Sequence, residues 1–263
     1  MRKIAINLHA KKGLDTAAYI GKMRELGFDA LFTGVPTPTD LPVIVDALAK
    51  NGMSYEMIHA PFEHINDIWY EGEQGESMLG ELMHAVDCAQ LGGCPTVVVH
   101  LSSGTTPPDL TDVGRARFER LVEHAAQKKV RIAFENQRKL ANITWALERF
   151  CDPATVGFCW DCGHEGCFTP DREFMPLFGD RLICTHIHDN PCLPDEDLHM
   201  IPFDASLDFD RVARQLRESG YAGTLTLEVF AQNSKVYDGM SCEAFLEKAA
   251  AAIKRLRSMI DRE

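Results

Sequence analysis

The sequence contains no apolar run approaching the ~20 residues that span a bilayer. After Met1-Arg2-Lys3 the first apolar run stops at Leu8, too short for a signal-peptide core. The expectation is a soluble, cytoplasmic protein with no membrane partner. Nine cysteines, odd in number and scattered, do not form a disulfide framework. Cys159-Trp160-Asp161-Cys162 is formally C-x-x-C. A redox pair should open a helix with its first cysteine exposed, whereas Cys159 lies inside a strand-like run, and a zinc ribbon needs a second pair. The cysteines are therefore read as packing. A Gly-rich phosphate loop, a G-x-S-x-G elbow and a dinucleotide fingerprint are all missing. Basic residues are in deficit: 27 Lys and Arg against 39 Asp and Glu, a net charge of −12. That balance weighs against nucleic acid as a partner. The best basic cluster, Lys248, Lys254, Arg255, Arg257 and Arg262, is interleaved with acids and reads as a solvated helix face.

What is present is a recurring phrase. Short apolar runs stop abruptly in a residue that can bind a metal or carry a proton: Ile58-His59, Val97-Val98-Val99-His100, Ile132-Ala133-Phe134-Glu135, Val156 to Asp161, Ile183 to His186, and Leu225-Thr226-Leu227-Glu228. A strand buried on both faces of a parallel sheet has this look when it delivers a polar group to the end of the sheet.

The chain of 263 residues, 45 % hydrophobic, alternates these strands with helices. Strands are expected at 2–9, 28–33, 53–59, 95–101, 130–135, 155–161, 181–188 and 224–228. Helices are expected at 15–26, up to Gly52, 77–91, 111–129, 142–150, 172–178, 207–219 and 242–260. Two long loops remain, 61–76 with Trp69 and Tyr70, and 190–206. Eight β/α units in ~250 residues without a linker predict one (β/α)8 TIM barrel over residues 1–263. In such a barrel the site forms at the C-terminal strand ends. Glu135, Asp161, His186 and Glu228 then converge from strands 5 to 8, and His59 and His100 join from strands 3 and 4.

Three carboxylates at one mouth repel one another unless they bind protons, splay apart or share a cation. Oxygen donors with one imidazole suit Mn²⁺, Mg²⁺ or Zn²⁺. The competing reading is that each carboxylate caps a helix or pairs with an arginine. His164, on the loop past Asp161, forms a second candidate group with Asp197 and His199, for another metal or for substrate.

The phrases His59-Ala60-Pro61-Phe62, Phe134-Glu135-Asn136, Trp160-Asp161-Cys162-Gly163-His164, His186-Ile187-His188-Asp189, Asp197-Leu198-His199 and Leu227-Glu228-Val229-Phe230 together resemble the xylose isomerase-like TIM barrels, the superfamily of sugar (phosphate) isomerases and epimerases that also contains endonuclease IV. The epimerase branch implies one divalent metal on Glu135, Asp161, His186 and Glu228. The two glutamates would be the acid/base pair, moving a proton through a metal-stabilised enediolate. His164 and His188 would contact the substrate or the groups around it. The nuclease branch implies three zinc ions on His59, His100, Glu135, Asp161, His164, His186, Asp197, His199 and Glu228, hence a phosphodiesterase. A non-catalytic sugar-binding barrel is the third possibility. The sequence departs from the superfamily at Pro202-Phe203-Asp204-Ala205, where a Gly-x-Gly often follows the Asp-x-His pair. A loop shaped by two glycines is not expected there, which leaves the placement of Asp197 and His199 open. The expected partner is a small sugar or sugar phosphate, with Trp69 covering it, His188 touching it and Arg138 near any phosphate. A homo-oligomer is compatible with the sequence.

Overall fold

The computed structural model describes residues 1–261, and Arg262 of the basic cluster falls outside the described residues. Eight parallel strands run β1 (Ile4–Asn7), β2 (Ala30–Gly34), β3 (Ser54–His59), β4 (Thr96–His100), β5 (Arg131–Glu135), β6 (Val156–Asp161), β7 (Leu182–His186) and β8 (Leu225–Leu227). Each pairs with its sequence neighbour from β1 to β7, and β8 pairs with β1. The β7–β8 seam narrows to one parallel bridge, where the Ile187 N–H donates to Thr226 O at 2.8 Å and the Glu228 N–H to Ile187 O at 3.1 Å. The result is the expected barrel, with one strand end at a time arriving at the same rim.

The helices are α1 (Thr16–Glu25), α2 (Asp40–Asn51), α3 (Glu73–Gly92), α4 (Asp112–Lys128), α5 (Leu140–Arg149), α6 (Cys162–Phe168), α7 (Met175–Phe178), α8 (Phe209–Glu218) and α9 (Cys242–Ile260). Their ends follow local chemistry. Asp15, Thr111, Asp208 and Ser241 accept from backbone N–H groups in the first turns of α1, α4, α8 and α9. Gly52 closes α2 in the left-handed region, where only glycine sits without strain. Inside the barrel Phe32, Met57, Val98, Ala133, Cys159 and Cys184 fill the axis, while a larger core lies between strands and helices. The cysteine reading agrees with their setting: burial pushes the Cys159 and Cys162 thiols well above the ordinary range.

Three expectations are corrected. The segment 61–76 is not one open loop, because a 3-10 turn covers Ile65–Trp69 and α3 begins at Glu73. His164 is not on a loop but in the first turn of α6, a helix missing from the sequence reading. Strand 7 stops at His186, because Ile187 makes only the bridge to β8. Lys254 and Arg255 on α9 are exposed as expected, and the cluster also ties the helix down: Lys248 pairs with Asp204 at 2.8 Å, Lys254 donates to Leu26 O at 2.7 Å, and Arg257 donates to Arg2 O at 3.1 Å.

Candidate functional site

Parallel register sets His100 beside Glu135 and Asp161 beside His186, so consecutive strands place their terminal side chains next to one another. Glu135, Asp161, His186 and Glu228 each offer a donor atom, and these atoms lie within 4.8 Å of one another. Glu135 is at the centre and wholly buried. Its Oε2 faces His59 Nε2 at 3.2 Å and His100 Nε2 at 3.0 Å, and its Oε1 faces His186 Nδ1 at 3.1 Å and His164 Nδ1 at 3.3 Å. His186 Nδ1 also stands 3.0 Å from Glu228 Oε2.

The neighbours of the site hold these groups. Asn136 Nδ2 donates to Asp161 O and its Oδ1 accepts from Asp161 N–H, both at 2.8 Å, so one amide ties β5 to β6 beside the site. Asn7 repeats the device between β1 and the end of β8, bonding both backbone groups of Val229. Gln137 Nε2 lies 3.2 Å from His100 Nε2 and 3.1 Å from His164 Nδ1, spanning the two rings. The sequence reading missed Gln137, although an i, i+2 position shares the strand face of Glu135.

The charges demand a positive partner. Burial pushes the Glu135 and Glu228 carboxyls up, but His186 and the surrounding histidines outweigh it and hold both well below the usual range. Burial likewise opposes a proton on His186, yet Glu228 and Glu135 raise its pKa well above the ordinary histidine value. A single N–H on His186 Nδ1 faces two carboxylate oxygens, one from Glu135 and one from Glu228, so the two acids compete for it. In the adjoining group Asp197 Oδ1 and His199 Nδ1 are buried without hydrogen-bond partners and lie 3.3 Å apart. Three buried carboxylates with an imidazole are the donor set of a divalent cation, and the residues fit one.

That second group is assembled as well. Asp161 Oδ1 caps α6 by accepting from His164 N–H at 2.6 Å while its Oδ2 lies 3.1 Å from His188 Nε2, so the capping role weighed against ligation coexists with a second oxygen turned to the histidines. His164 Nε2 lies 3.1 Å from Asp197 Oδ2, and His199 Nε2 lies 3.5 Å from Glu228 Oε2. The loop 190–206 therefore delivers both residues without glycines. It does so with Cys192, Asp195, His199 and Phe203 in the left-handed region, Phe203 at φ 74°. Asp189 pays for part of that strain by accepting from Ala205 N–H at 2.8 Å and Leu207 N–H at 2.9 Å.

Above the site opens a cavity of about 710 Å³, lined among others by His59, His100, His164, Asp197, His199, Glu228 and Arg138. Of the expected substrate contacts Trp69 fails, and His188 lies among the groups around the site, the other place expected of it. Trp69 is fully buried, donates from Nε1 to Leu101 O at 2.7 Å and packs on Phe118 and Trp145, because its position faces the α3–α4 layer and not the mouth. His188 is also fully buried; its Nε2 lies 3.0 Å from Asp161 Oδ1 and its ring stacks 4.0 Å beneath His199, so it orients the site from behind. Arg138 does reach the cavity, but its guanidinium pairs with Asp195 and lies 3.6 Å over the Phe168 ring. Phe62, Phe168 and Phe230, given no role in the sequence reading, back the histidines: Phe62 on His100, Phe168 on His164 and Phe230 on His199.

A family model described as xylose isomerase-like TIM barrel matches residues 20–259. The uncharacterized protein y4fM of Sinorhizobium fredii is 28 % identical over 234 residues, covering 81 % of this chain and 73 % of that protein. Among solved structures, a D-psicose 3-epimerase from Clostridium cellulolyticum H10, determined with D-tagatose, superposes with a TM-score of 0.81 at 13 % identity, covering 99 % of this chain and all (100 %) of that one. A 3-keto-D-glucoside 4-epimerase from E. coli gives a TM-score of 0.76 at 18 % identity, covering 98 % and 100 %. At these identities the two structures speak for the fold.

Proposed function

The chain belongs to the xylose isomerase-like TIM barrels, and on that premise we propose that it is a divalent-metal-dependent sugar isomerase or epimerase. The observation that carries the proposal is the buried four-residue group Glu135, Asp161, His186 and Glu228, with Glu228 lining the cavity. The epimerases among the similar folds support the same reaction class.

A bound divalent cation supplies positive charge that draws electrons from a substrate carbonyl and its neighbouring hydroxyl, which acidifies the adjoining C–H. Glu228 does the exposed part of the proton transfer: its carboxyl is ionised at neutral pH and faces the cavity, as a general base must. Glu135 is the second carrier, buried behind His59, His100 and His164, which line the cavity. Its carboxyl is enclosed by His59, His100, His164 and His186 and reaches a substrate carbon only by turning away from the first two. His164 and His199 line the cavity where substrate oxygens would lie, each backed by a phenylalanine ring, Phe168 and Phe230. Return of the proton to the opposite face gives an epimer, and to the neighbouring carbon an isomer.

The test is solvent-deuterium exchange at the carbon next to the carbonyl, across ketoses and ketose phosphates with Mn²⁺. Exchange in at least one substrate is expected, lost in Glu228→Gln; silence across the panel would overturn the reading. A second reading, a zinc-cluster phosphodiesterase, is favoured by one observation: His59 and His100 gather on Glu135 Oε2 while His164, Asp197 and His199 gather beside them. About three zinc ions per chain, with cleavage of a phosphodiester, would support it against the one-metal enzyme.

A further inference from the structure

A second concavity lies in the outer helical layer, between α4, α5 and the loop joining α6 to α7. It is a groove of about 580 Å³, within the ~300–1,000 Å³ of small-molecule sites. It shares no lining residue with the barrel-mouth cavity. Ala141, Trp145 and Glu148 line it from one face of α5, being spaced i, i+4 and i+7. Arg115, half-buried, enters from α4, and Arg172, exposed, from the loop.

The two arginines lack acidic partners. Other cations on the same two helices are committed: Arg117 and Arg120 pair with Glu76, and Arg149 pairs with Glu119. Arg115 and Arg172 make no ion pair and no side-chain hydrogen bond among the described residues, and neither does Glu148, the acid of the groove. In a chain of net charge −12, two uncommitted guanidiniums at one groove make a local positive site.

Arg115 is also held in place. Its guanidinium carbon lies 5.4 Å over the Trp145 ring, a contact that orients the planar fork and leaves its N–H donors unused. Trp145 in turn packs at 72° to Trp69, 61° to Phe118 and 74° to Phe150. Trp69 and Trp160 are fully buried, whereas Trp145 keeps part of its indole at the surface.

We propose that this groove binds a nucleoside monophosphate. The phosphate bridges Arg115 and Arg172, whose N–H forks match its oxygens. The planar base lies along Ala141 and Trp145, and the ribose hydroxyls donate to the unpaired carboxylate of Glu148. A sugar phosphate lacks the base, a nucleoside lacks the charge, and inorganic phosphate lacks everything but the charge. The proposal is independent of the reaction at the barrel mouth.

The test is titration of the full-length protein with AMP, UMP, adenosine, ribose 5-phosphate and inorganic phosphate, followed by calorimetry and tryptophan fluorescence. At least one of AMP and UMP should bind saturably and change the fluorescence, a change absent in Trp145→Phe. Ribose 5-phosphate and inorganic phosphate should bind about tenfold or more weakly for want of the base, and adenosine as weakly for want of the phosphate. Arg115→Gln and Arg172→Gln should each weaken the nucleotide by about tenfold or more, and Arg115→Lys by less. Neither arginine lines the barrel-mouth cavity, so these variants separate the groove from the metal-ligand group. Arg172 is exposed, so its substitution reads binding without disturbing the fold; thermal melts check this for both positions. No saturable binding of either nucleotide, binding that survives both arginine substitutions, or a nucleotide no tighter than ribose 5-phosphate or adenosine would each overturn the proposal.

Discussion

Metal binding should expel protons, and their number should report how many ions the site takes. In the metal-free protein burial opposes protonation of His164, His186 and His199, but nearby carboxylates outweigh it. Asp161 and Asp197 raise His164, Glu228 and Glu135 raise His186, and Glu228 and Asp197 raise His199 to about 9. All three therefore hold their protons to higher pH than a free imidazole does, and an imidazole must be neutral to ligate. One ion on Glu135, Asp161, His186 and Glu228 displaces about one proton; a cluster that also uses His164 and His199 displaces about three. The same shifts set the stability of the metal-free protein. A histidine whose folded pKa is raised stabilises the fold fully below its unfolded value of 6.5, and this is lost as pH rises through the folded value, about 9 for His199. For His199 alone the loss is at most about 3 kcal/mol across that window. The assay is titration calorimetry of chelator-stripped protein with Mn²⁺ and Zn²⁺ in buffers of different ionisation enthalpy, beside denaturant midpoints from pH 6 to 9. Tight metal uptake without proton release, or no uptake at all, would refute the reasoning.

Three other outcomes are expected. A Cβ at Gly163 would lie 2.0 Å from His188 Cε1; Gly163→Ala should therefore cost about 1–3 kcal/mol of stability and weaken metal affinity by moving the ring that holds Asp161, checked by thermal melts and metal titration, with an unchanged titration counting against the role given to His188. Phe203→Gly should be more stable than Phe203→Ala by about 1 kcal/mol, because both lose the ring on Phe209 and Arg255 but only alanine keeps the strain of φ 74°; equal denaturant midpoints would contradict this. Burial raises the Glu165 carboxyl, with Phe174 N–H, Trp160 Nε1–H and Arg211 only partly offsetting it. The folded protein then holds that proton longer than the unfolded chain, so stability falls as pH rises just above the usual glutamate range. Glu165→Gln should flatten that fall in denaturant midpoints between pH 4 and 7, and an unaltered slope would show that Glu165 is not its source.

Much of the site was readable because strand ends are local facts. His100, Glu135, Asp161 and His186 each close an apolar run, and parallel register alone is enough to bring them together. Trp69 was misplaced for the opposite reason. Nothing within its own segment says that Leu101 O, 32 positions away, accepts its indole N–H and draws it inward. The glycine-free loop was a similar case. Its path depends on Asp189 holding Ala205 and Leu207, and on Tyr237 Oη donating to Asp204 at 2.7 Å.

The sequence by itself determined the barrel and the identity of the groups at its mouth. Hydrophobic period and strand-end chemistry act over a few residues, and a repeating β/α alternation leaves one closed arrangement. Tertiary structure alone decided which groups face the cavity. It buried Trp69 and His188, committed Arg138 to Asp195, and left Phe62 open, because those outcomes turn on contacts between residues far apart in the chain that no local spacing encodes.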